Sequence, residues 1–150
     1  MIRHADHHRP LVGPAQGVGQ QAVRVLVVPV HGRAEAALGV PLELAALPHV
    51  ESSYNPDARS HVGASGIWQF TRSTGRRFMQ VDHIVDARND PWFASEAAAQ
   101  LLAYNYSLTN NWPMAITAYN HGLAGARRAM RQFGDTAYAE ILRNYKGRTF

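Results

Sequence analysis

Residues 90–120, "DPWFASEAAAQLLAYNYSLTNNWPMAITAYN", constrain the fold more than any other stretch. Asp90 can cap a helix, and Pro91 suits a first turn, where its missing N–H costs nothing. The Ala- and Leu-rich run that follows favours helix strongly. "NNW" breaks it, and Pro113 sits near the first turn of the next helix. After "HGLAG", the segments "ARRAMRQF" and "TAYAEILRNY" read as two more helices, separated at Gly134-Asp135. Upstream, "PLELAALPHVESS" places Leu42, Ala45, Ala46, His49 and Val50 at i, i+3, i+4, i+7, i+8, one face of a helix. Pro41 fits its first turn, Pro48 should kink it, and Asn55-Pro56 should end it. "GASG" at 63–66 is a turn cluster; a short helix is expected from about Trp68 to Phe78, and "VDHIVDARNDP" reads as loop. The expectation is an all-α domain of about six helices, with no internal repeat.

Residues 1–39 differ in texture, being rich in Gly, Pro, Gln, His and Arg without a clear helical period. "VRVLVV" within them could be a short strand. The expected organisation is a leader of low order over 1–39 and a folded domain over 40–150. The net charge of +4 splits evenly at residue 40. Four Arg against two acids precede it, and eleven basic against nine acidic residues follow. That balance does not call for a nucleic-acid partner. The densest basic spot, "ARRAMR" at 126–131, reads as a solvated helix face. The chain has no cysteine, which excludes disulfides, thiol catalysis and cysteine zinc sites. No apolar run approaches the roughly 18 residues of a membrane span. "VRVLVVPV" at 23–30 is too short and makes a poor signal-peptide core. "HADHH" near the start has a metal-like spacing, but a His-rich leader explains it and no metal is expected.

Three places could carry chemistry. Glu51 sits where an apolar helix face runs out, and apolar surroundings would raise its pKa towards that of a general acid. A surface glutamate at a helix end would look the same in sequence. Gly63 and Gly66 allow tight turns, Gln69 offers donor and acceptor, and Trp68 and Phe70 are either flat faces for a sugar or core residues. Tyr119 and Asn120, before Gly122, could place a phenol and an amide in a cleft, or be a core tyrosine and a helix cap.

"ESSYNPDARSHVGASGIWQF", followed some fifty residues later by "TAYNHG", resembles the catalytic domain of the lytic transglycosylases, goose-lysozyme-like enzymes that cleave peptidoglycan. The matching positions are Glu51-Ser52, Tyr54, Asn55-Pro56, Ser60, Gly63-Ala64, Gly66, Gln69 and Ala118-Tyr119-Asn120. "LPHVESSYNP", "GRRFM" and "YNHG" are most similar to the membrane-bound branch; His121 stands where many relatives have Ala. The resemblance covers about residues 41–150 and implies at least one more helix beyond Phe150, so the lysozyme-like domain reads as incomplete at its C-terminal end. It implies that Glu51 is a single acid/base cleaving between N-acetylmuramic acid and N-acetylglucosamine, leaving a 1,6-anhydro end without consuming water. It implies that Ser60, Gln69, Tyr119 and Asn120 surround the acid or the acetamido group. It implies no cofactor and no metal, glycan strands of peptidoglycan as partner, and a periplasmic or envelope location. Membrane association is not encoded in this chain. A hydrolytic muramidase and an inactive peptidoglycan-binding module are the alternatives. Against the muramidase stands the missing partner carboxylate: Asp57, in a turn, reads as exposed and structural.

Overall fold

A computed structural model describes residues 29–30, 32–34, 36–134 and 138–145. Among them the regular structure is helical, with only isolated β-bridges between Arg59 and Ser65, Ser65 and Phe70, and Val81 and Asp86. The α-helices are α1 (Leu47–Ser52), α2 (Arg72–Gly75), α3 (Pro91–Thr109), α4 (Trp112–His121), α5 (Leu123–Phe133) and α6 (Tyr138–Asn144). The described residues form two compact units, one up to Leu101 and one from Leu102 onwards. The all-α expectation holds. Helical residues also appear upstream of residue 41, at 29–30, 32–34 and 36–38, where no period was legible, and Val30 and Ala34 are buried there. The segment "VRVLVV", legible as a short strand or equally as collapsed loop, and the leader histidines lie outside the described residues.

Start signals were read correctly where a cap declares itself. Asp90 Oδ1 accepts the N–H groups of Trp92 and Phe93 at 2.8 and 3.2 Å, and Pro91 opens α3. Asn111 Oδ1 accepts the Met114 N–H at 2.9 Å, with Pro113 in the first turn of α4. The interruption at "HGLAG" shrinks to Gly122, whose φ of +83° ends α4 and starts α5 directly.

Two expectations need correction. The apolar face assigned to 42–50 is not the buried one: Val50 is 83% exposed, Leu42, Ala46 and His49 are exposed, and Ala45 and Pro48 are buried. The cause is a 3-10 helix over Leu42–Ala46, which winds three residues per turn and shifts the phase before α1 begins. Pro48 therefore falls in the first turn of α1, where it breaks no bond and makes no kink. The helix expected over Trp68–Phe78 is only Arg72–Gly75, capped by Thr71. Gln69 adopts φ +49° and Phe70 bridges back to Ser65, so the chain is a tight turn where a helix was expected.

In the unit up to Leu101 the most deeply buried large side chains are Trp68 and Ile67, with Phe70 and Tyr54 close behind. In the other unit Met114, Ala118, Ala126, Ala129 and Ile141 form a core, with Leu123, Met130 and Phe133 against it. The Thr117 and Tyr138 hydroxyls meet at 2.6 Å and tie α4 to α6.

Candidate active site

Glu51 is the penultimate residue of α1 and is half-buried. Among the described residues its carboxyl has no hydrogen-bond or ion-pair partner. Burial without compensation disfavours the anion, and it pushes the Glu51 pKa above the ordinary carboxylate value. An upward shift is the direction general-acid chemistry asks for.

The end of α1 is held from several sides. Ser52 Oγ lies 2.9 Å from the Ile67 carbonyl and 3.2 Å from that of Pro48, so its hydroxyl links the helix to the following loop. Ser53 and Tyr54 both take the left-handed conformation, at φ +53° and +59°, which side-chain-bearing residues rarely adopt. The turn is retained because the Tyr54 ring is buried, its hydroxyl donates to the Ala45 carbonyl at 3.0 Å, and its N–H donates to Pro48 at 3.1 Å. The position of Glu51 thus rests on a strained but anchored turn.

The loop after it is equally tied. The Ser60 N–H donates to the Ala64 carbonyl at 2.9 Å, and Ser60 Oγ accepts the Ala64 N–H at 3.0 Å. Gln69 Nε2 donates to the carbonyls of Gly66 and Ala58 at 2.8 and 3.2 Å. Both amide protons of Gln69 are therefore spent on the loop, and its carbonyl oxygen is the part left to meet a ligand. At Gly66, with φ +78°, an added Cβ would stand 1.8 Å from the Arg88 carbonyl oxygen, so only glycine fits. Trp68 and Phe70 are 0% and 2% exposed; they are core, and the cleft-wall alternative falls. Trp68 Nε1 donates to Ser95 Oγ at 2.8 Å, and Ser95 in turn donates to the Pro91 carbonyl at 2.6 Å.

Sequence reasoning missed Arg88. It is 4% exposed and grips both oxygens of Asp86 at 2.8 and 2.7 Å. Its Nη1 donates to the carbonyls of Gly63 and Phe70, each at 2.9 Å. One guanidinium thus pins both ends of the loop that carries Gln69. Its hydrogen bonds, foremost, hold the Asp86 carboxyl below the ordinary value. "DARND" reads as a polar loop because the partners are backbone carbonyls far upstream, which leave no mark in sequence.

Glu51, Ser60 and Gln69 lie in the unit up to Leu101. Tyr119 and Asn120 lie in the last turn of α4, in the other unit; Tyr119 is half-buried and Asn120 exposed. The His121 ring packs on Gly125, where a Cβ would come 2.4 Å from it. Asp57 is exposed. A cavity of about 330 Å³ in the first unit is lined by Phe78, Phe93, Asp86 and Glu96 among others, but by none of the five site residues. Its Asp86 is engaged by Arg88. Among the described residues no group of His, Asp and Glu is disposed to hold a metal, and no helix is long and apolar enough to cross a membrane.

The helical fold, with half-buried Glu51 at a helix end, is that of the lysozyme-like class, to which the family match assigns it. The chain belongs to the transglycosylase SLT domain family, whose model matches residues 31–142. It is 35% identical over 94 residues to the membrane-bound lytic murein transglycosylase D of Escherichia coli (strain K12) and to its counterpart in Escherichia coli O6:H1, covering 61% of this chain and 21% of each relative. A third relative, in Alteromonas sp. (strain M-1), is named for tributyltin chloride resistance; it is 34% identical over 100 residues, 65% of this chain and 48% of that protein. The chain thus spans about a fifth of the length of the Escherichia coli relatives.

Proposed function

We propose that this domain is a peptidoglycan lytic transglycosylase with Glu51 as its only acid/base. The observation that carries the reading is the Glu51 carboxyl: half-buried, without a partner among the described residues, raised in pKa by burial, and held on a braced helix end. The protonated carboxyl gives its proton to the glycosidic oxygen as the C1–O bond of N-acetylmuramic acid breaks. The substrate's acetamido oxygen shields C1, the role a second carboxylate takes in two-carboxylate glycosidases. The Glu51 carboxylate then takes the C6 hydroxyl proton, O6 closes on C1, and the acid is restored. The product carries a 1,6-anhydro ring, and no water enters.

In this reading the Ser60 hydroxyl and the Gln69 carbonyl oxygen orient the acetamide, and the resemblance assigns Tyr119 and Asn120 to substrate binding. The names of the Escherichia coli relatives, lytic murein transglycosylases, support the substrate and an envelope location. The test is digestion of purified peptidoglycan by the chain and by Glu51→Gln, with mass spectrometry of the released fragments. Anhydro ends that vanish with the variant are expected. Reducing ends would mean hydrolysis by water, and no release by either protein would sink the enzymatic reading.

A further inference from the structure

Helix α5 buries Ala126 and Ala129 and turns Arg127, Arg128 and Arg131 outward, all three exposed. Arg127 and Arg131 stand one turn apart, about 6 Å along the axis. Among the described residues none of the three has an ion-pair or hydrogen-bond partner. Within α5 the sequence supplies none: no Asp or Glu occurs between Glu96 and Asp135, and Asp135, four residues after Arg131, lies past the end of the helix. Residues 102–150 carry six basic against two acidic residues, whereas 41–101 carry five against seven. The excess positive charge thus belongs to residues 102–150, whereas 41–101, which include Glu51, carry more acids than bases.

A solvated helix face usually mixes signs, because like charges at i, i+4 destabilise a helix and opposite ones support it. Arg131, in the last turn, complements the helix dipole; Arg127 and Arg128, in mid-helix, have no such role. The field of Arg128 also reaches His121, whose imidazole is held below its ordinary pKa by burial first and by that charge. Guanidinium groups are planar forks matched to carboxylates. A convex row of them fits anions repeated along a polymer better than one small anion in a pocket.

We propose that the outer face of α5 is a second, non-catalytic binding surface for the carboxylates of the peptides attached to the glycan strand. The proposal rests on peptidoglycan being the substrate. The surface raises the local concentration of polymer and lengthens the stay of the domain on it, by steering and by multivalent contact.

The experiment measures sedimentation with purified peptidoglycan sacculi at several salt concentrations, in a Glu51→Gln background so that no cleavage intervenes. It compares that parent with the triple variant Arg127→Gln/Arg128→Gln/Arg131→Gln, on native sacculi and on sacculi whose carboxylates are capped as neutral amides. Three exposed guanidinium–carboxylate contacts of ordinary strength multiply to about tenfold in Kd. The triple variant should lose that factor and part of the salt dependence, capping should cost the parent the same, and the two losses should not add. With Glu51 restored, turnover of a short peptide-free glycan should be unchanged by the triple substitution. Equal binding by both proteins, undiminished binding to capped sacculi, or preference for phosphatidylglycerol vesicles over sacculi would each overturn the proposal. Arginine-dependent binding without turnover of any glycan would defeat the enzymatic reading and leave this surface standing.

Discussion

Replacing Arg88 by Met keeps an apolar stem of similar length and removes the guanidinium. Four hydrogen bonds go with it: two to Asp86 at 2.8 and 2.7 Å, and one each to Gly63 and Phe70 at 2.9 Å. The carbonyl losses are the smaller part. Phe70 keeps the Ser65 N–H at 3.1 Å, and Gly63 is exposed, so water can serve it. The Asp86 carboxylate keeps only the Arg88 N–H at 3.3 Å and Arg72 at 4.0 Å. Breaking a buried ion pair from one side costs ~3–5 kcal/mol; the Asp86 side chain is 23% exposed, which places the loss near the lower end, ~3 kcal/mol. Urea denaturation at pH 7 measures this directly. The pH dependence checks the cause. Because the folded pKa of Asp86 is depressed, its contribution is full above the unfolded value, about 3.9, and is lost as pH falls through the folded value. The variant should lack that acid limb, so the gap to the parent should narrow below about pH 4. In a cycle with Asp86→Asn the double variant should lose clearly less than the two singles together. A loss under ~1 kcal/mol at pH 7, or an unchanged acid limb, would show that the pair does not hold this loop.

Gly66→Ala should cost ~3 kcal/mol or more in the same assay, since left-handed strain of ~1–2 kcal/mol adds to a 1.8 Å clash with backbone; a stable variant would mean the loop can open without loss. Ser95→Ala removes the 2.8 Å hydrogen bond that the buried Trp68 Nε1 donates and should cost ~1–3 kcal/mol, with a shift in tryptophan fluorescence; a neutral result would show that this bond does not hold the ring. Glu51→Gln should lower glycan cleavage by ~10²–10⁴-fold, the usual worth of a positioned acid. The same substitution should raise the melting temperature at neutral pH. A carboxyl with a raised folded pKa loses stability as pH climbs from its unfolded to its folded pKa, and the amide escapes that penalty. The gain should fade in acid, and a gain constant with pH would refute burial of the charge as its source.

The sequence alone determined the elements whose signals are local. Asp90 with Pro91 announces a helix start because a cap needs only a side-chain oxygen and the next few N–H groups, and Pro113 marks the first turn of the next helix. The motif around Glu51 was legible by resemblance, and Gly66 was legible as a turn residue. Tertiary structure decided what depends on distant partners. The 3-10 winding of Leu42–Ala46 set which side of α1 is buried, a phase that apolar spacing cannot encode. Trp68 went to the core because Ser95, 27 residues later, accepts its N–H. Arg88 became the pin of the loop because two carbonyls and one carboxylate converge on it only after folding. A backbone carbonyl looks alike at every residue, so the pairings that fix this site exist only once the chain has closed on itself.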